Sequence, residues 1–65
     1  MSAASDGRLD GQVHAILGKP CDPTGAFIRT LGHMGITETD RAEFVAAYNA
    51  AYTKECESMR KEGRL

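Results

Sequence analysis

The 65-residue chain has no tryptophan, and phenylalanine, tyrosine, proline and cysteine occur only twice each. So few large rings limit the core to one thin layer between helices, short of a core plus a deep dry pocket, which needs about 300 Å³ or more. Two cysteines without CxxC spacing exclude a disulfide framework and the common dithiol motifs. No apolar run approaches the ~18 residues of a membrane span. Neither sign of charge is in excess: eight Lys/Arg against nine Asp/Glu leave −1. That balance argues against a general nucleic-acid binder, whose affinity comes mainly from surplus basic side chains. It also falls short of the acidity of a DNA mimic. The start, MSAASDGR, lacks a basic n-region and an apolar h-region, so the expected location is the cytoplasm. Neither G-x-G-x-x-G nor G-x-x-x-x-G-K-[ST] occurs, and no nucleophile–base–orienter set is legible, so no enzyme activity and no cofactor are expected.

What is present is helical punctuation. From Ile36 onward Phe44, Val45, Tyr48, Tyr52, Cys56 and Met59 recur at three- and four-residue steps, and alanines fill much of the remainder. Thr37 with Asp40, or Asp40 with Glu43, offers a capping-box start, and Lys54, Arg60, Lys61 and Arg64 suit the negative end of the helix dipole. Asp22-Pro23 pairs a carboxylate cap with proline at the first helical position, followed by the stripe Phe27, Ile28, Leu31, Met34 and a stop at Gly35. Ahead of these, Ser5 or Asp6 caps a shorter segment in which Leu9, Val13, Ile16 and Leu17 share one face, ended by Gly18 and Pro20. Gly7 and Gly11 weaken that helix by roughly 1 kcal/mol each. The run from Val13 to Leu17 is also short enough to be a strand. The expectation is an all-α, three-helix domain over residues 6–65 behind a disordered tail at 1–5. A helical hairpin, about 23–34 and 39–61, has its seam covered by a short N-terminal helix, and the apolar residues of all three contribute to the core.

Residues 27–44 have the outline of a helix-turn-helix, yet the second helix opens on Glu38, Asp40 and Glu43 with only Arg41 opposed, which repels phosphate. His14, Cys21, His33 and Cys56 are of metal-ligand type, but their separations match no common zinc pattern, and no metal is expected. Cys21 and Cys56 lie at similar distances from the turn near Thr37, so an antiparallel hairpin brings them close, as reduced thiols. Tyr48 and Tyr52, one turn apart, serve as core or as interface anchors.

By elimination the chain reads as a small non-enzymatic binding protein, a regulator or inhibitor of a larger protein partner. Chains of this kind are common in phages and other mobile elements. Glu38, Asp40, Arg41 and Glu43, at the exposed junction of two helices, are the candidate binding residues. The complementary partner carries a basic surface, of the kind nucleic-acid-handling proteins have. The alternative is a helix-turn-helix DNA-binding transcriptional regulator. A homodimer is compatible with either reading.

Overall fold

The computed structural model describes residues 3–30 and 37–63, and three helices account for most of them. These are α1 (Ala3–Ile16), α2 (Pro23–Thr30) and α3 (Glu38–Lys61). The fold is a small all-α domain; there is no strand among the described residues, and Val13 to Ile16 are helical. No helix is long and apolar enough to cross a membrane.

Each boundary has a local cause. α1 ends in a paired motif: Gly18, at φ 73°, donates to the Ala15 carbonyl at 3.1 Å, and Lys19 to that of His14 at 2.9 Å. Only glycine enters this left-handed region without strain, so Gly18 stops the helix as its sequence position implies. Asp22 caps α2, its carboxylate accepting the Gly25 amide at 3.0 Å while Pro23 fills the first turn. Thr37 and Asp40 form the capping box of α3: Asp40 N–H donates to Thr37 Oγ1 at 3.2 Å, and Thr37 N–H returns a bond to Asp40 Oδ2 at 3.2 Å. One boundary differs from the sequence reading, and one is not among the described residues. Ala3 to Ser5, read as tail, already belong to α1. The expected end of α2, with Leu31, His33, Met34 and the Gly35 stop, lies outside the described residues.

The packing departs further. Gly7 of α1 lies against the Phe44 backbone of α3, and Gly11 against that of Tyr48, so the two helices advance in the same direction. α1 and α3 are therefore parallel neighbours, and the chain returns between them through the segment that contains α2. Most of the interhelix packing joins α1 to α3, with α2 touching each more lightly. An α1 of fourteen residues thus acts as a main wall of the fold.

Which face of α1 packs is also reversed. Ala3, Gly7, Gly11 and Ala15 recur every fourth residue; Gly7, Gly11 and Ala15 are buried, and Ala3 packs on the core. Leu9, Val13, Ile16 and Leu17, expected in the core, are instead exposed, and so is Ile28 of α2. The reason is distance. A Cβ on Gly7 or Gly11 would overlap a carbonyl group of α3, so the lack of side chains lets the two backbones approach closely. Cα–H groups aimed at carbonyl oxygens add weak attraction across such a seam. The glycines read as helix-weakening are the contact surface itself.

The core above this seam is aromatic. Phe44 and Tyr48 are fully buried, with Phe27 and Ala26 of α2 beside them and Tyr52 partly covered. Phe27 meets Phe44 edge-on at 5.5 Å, and Phe44, Tyr48 and Tyr52 form a stacked row one helical turn apart.

Candidate interaction surfaces

Three places concentrate the chemistry-bearing side chains: the start of α3, the polar end of the aromatic row, and the outer face of α1. The capping box fixes the first. Asp40 is half-buried and its carboxylate is engaged twice, by the Thr37 amide and by the Thr37 hydroxyl at 2.9 Å. Asp40 is therefore occupied with the helix start. Glu38 and Arg41 are exposed, lie one turn apart, and line an open depression with Ala42 and Val45. Glu43 is exposed but sits about 140° round the helix from Glu38 at 100° per residue, so it faces another side. Of the four residues singled out from the sequence, the fold brings Glu38 and Arg41 together.

In the second place, Tyr48 carries its hydroxyl from the buried row to the junction of all three segments. Its oxygen accepts the Asp22 N–H at 3.3 Å and lies 2.6 Å from His14 Nδ1. The direction of the His14 bond follows the imidazole tautomer: the hydroxyl donates to a bare Nδ1 or accepts from an Nδ1–H. Burial pushes the Tyr48 phenol above the ordinary tyrosine range, while the Asp22 amide pulls it down. One turn on, the Tyr52 hydroxyl donates to the Lys19 carbonyl at 2.5 Å. Asp10 is joined to α2 by the Thr30 hydroxyl at 2.9 Å. These bonds tie the α1–α2 connection and α2 down onto α1 and α3, and their partners are structural groups at every point.

The ligand-type residues do not converge. His14 is turned to Tyr48, and the Cys21 thiol lies 3.5 Å from Asn49 Oδ1. Cys56 follows Asn49 on α3 by two turns, about 10 Å of rise. The segment from Cys21 through α2 does run antiparallel to α3, with Asp22 at Tyr48 and Phe27 at Phe44, but its register sets Cys21 level with Asn49 and not with Cys56. Both cysteines are free thiols, Cys21 exposed and Cys56 half-buried. His33 lies outside the described residues. Among the described residues no three His, Cys, Asp or Glu side chains are grouped as a metal site would require. A groove between α1 and α3, floored by Ala47, Ala50 and Ala51 and rimmed by Arg8, Lys54 and Glu55, measures about 240 Å³. That is smaller than the roughly 300 Å³ at which small-molecule pockets begin.

The third place was missed as a surface. Leu9, Val13, Ile16 and Leu17 keep 60%, 41%, 53% and 62% of their area in water. The repeat Ala3-Gly7-Gly11-Ala15 was the available signal: a small-residue stripe competes with the large apolar face for the partner helix. Comparison with family models, with curated proteins and with solved structures gives no match to this chain.

Proposed function

We propose that this chain is a non-enzymatic binding protein that regulates or inhibits a larger protein partner, engaging a basic surface through the start of α3. The observation that carries the reading is the exposed Glu38–Arg41 pair beside Ala42 and Val45, on a helix end held rigid by the Thr37–Asp40 box. A pre-ordered charged turn loses little conformational entropy on docking, and complementary charge accelerates encounter. Glu43 serves as a flanking charge and Asp40 as the cap that fixes the geometry. The scattered ligand-type residues favour binding over catalysis. The helix-turn-helix alternative draws no comparable support, since the helix that would read DNA opens with Glu38 and Glu43 outward.

The test is capture from host lysate with the wild-type chain and with an E38K/E43K double variant that keeps Asp40. The captured partner should bind the folded variant more weakly, with slower association, and wild-type binding should weaken as salt rises. Unchanged affinity and association rate in the variant would reduce the acidic turn to a solubilising cap. Retention of random duplex DNA at low salt would instead favour the DNA-binding alternative.

A further inference from the structure

The large apolar face of α1 bears no relation to the acidic turn and needs its own account. Leu9, Val13 and Ile16 follow a four-then-three spacing, the spacing of a helix-pairing seam, and Leu17 widens it. The face is directed away from α3, because the small-residue stripe that contacts α3 lies about 150° round the helix at 100° per residue. We infer that this face docks a second copy of the chain, two α1 helices pairing antiparallel about a twofold axis near Val13.

Area, charge and core size select that occupant. The four side chains leave roughly 400 Å² exposed, within the about 300–600 Å² of the largest patch on a typical monomer. Two copies would bury roughly 800 Å² of apolar surface; interfaces are about 57–65% apolar, so the total reaches about 1,200–1,400 Å². That meets the lower end of specific, stable association, about 1,200 Å². Charge sets the orientation. Asp6 lies near the start of the face and Lys19 just beyond its end, so antiparallel pairing sets each Asp6 near the Lys19 of the other copy, whereas parallel pairing opposes like charges. Finally, among the described residues one copy buries Ala15, Ala26, Phe27, Phe44, Tyr48 and Met59 as its apolar set, and a chain this short gains from further burial. Pairing of α1 adds a second apolar layer and joins two three-helix units back to back.

The measurement is sedimentation equilibrium of the full chain with reductant, which removes any dimer linked through the exposed Cys21, from about 10 μM to about 1 mM. The wild type should rise with concentration from 7.0 kDa toward twice that mass. Val13→Glu sets two carboxylates against each other at the axis and should weaken association about 100-fold with an unchanged helical circular dichroism spectrum. Leu9→Glu provides the same reading away from the axis, should Val13→Glu fail to fold. Asp6→Lys and Lys19→Glu should each weaken the dimer, and the double exchange should restore it. A wild type that stays monomeric throughout overturns the inference, as does a folded Val13→Glu that dimerises like the wild type. Failure of the double exchange to restore association overturns the antiparallel arrangement.

Discussion

α1 presents two apolar faces, and the protein uses them in opposite ways. On one, Ala3, Gly7, Gly11 and Ala15 together offer little side chain, yet they hold the main interhelix contact. On the other, Leu9, Val13, Ile16 and Leu17 offer far more hydrophobic area and are left uncovered by their own chain. Side-chain size ranks what burial would gain; it does not rank how closely a helix can approach. Where glycine lets two backbones touch, the rings of the partner helix are free to pack elsewhere. Here Phe44 and Tyr48 carry their rings to Phe27, His14 and each other.

The hardest blow to this contrast falls on the small face. Gly11→Val drives a branched side chain into the Tyr48 backbone, which cannot retract as a flexible side chain would. Overpacking costs about 1–3 kcal/mol or more, enough to unfold much of a domain this small. Thermal melts followed by circular dichroism should show the loss of a cooperative transition. The milder Gly7→Ala sharpens the argument, because alanine stabilises an exposed helix position by about 1 kcal/mol and should here destabilise.

Next comes the ring that the close seam leaves free to reach outward. Tyr48→Phe removes the hydroxyl that joins His14 and the Asp22 amide, at a cost of about 1–2 kcal/mol in chemical denaturation. It should also change the alkaline limb. The unfolded phenol ionises near pH 10, whereas the folded one, raised by burial, keeps its proton to higher pH. Above about pH 10 the unfolded state therefore binds fewer protons, and stability falls as pH rises. Tyr48→Phe should flatten that fall; an equal decline in wild type and variant would place its cause elsewhere.

Smaller again is the cap. Thr37→Ala should cost about 1 kcal/mol, read as a lower denaturation midpoint with the same slope. The least effect belongs to the large face. Leu9→Ser, studied at low micromolar concentration, should move folding stability by no more than about 0.5 kcal/mol. A loss comparable with that from Gly7→Ala would mean that the two faces share the work of holding the fold, and the contrast would collapse.

The helices themselves were legible in the sequence because their signals are local. Asp22-Pro23, Thr37 with Asp40, and Gly18 each act within one turn, and each acts where its chemistry says it should. The long α3 face was equally plain, with Val45 and Tyr52 half-buried, Tyr48 buried, and Asn49 and Lys54 exposed. The face of α1 that packs was not. Periodicity weighted by hydrophobicity favours leucine over glycine, and so pointed away from the small-residue stripe that meets α3. The scatter of the α3 charges was available from helical geometry, since Glu43 and Arg41 fall on different sides. Whether Glu38 and Arg41 bind anything leaves no mark on the chain, because complementarity is a property shared with a partner.

The parallel seam also bears on how the chain reaches its fold. A helical bundle packed mainly between successive helices forms mostly from contacts near in sequence and folds on the microsecond-to-millisecond scale. Here the principal contacts close a long loop, His14 meeting Tyr48 across 34 residues and Lys19 meeting Tyr52 across 33. The closure entropy of most of the return segment is lost before the glycine seam gives anything back. Folding should therefore be slower than helix content alone implies, with the seam forming late. In that case Gly7→Ala would act mainly by accelerating unfolding and would leave the folding arm of the chevron nearly unchanged.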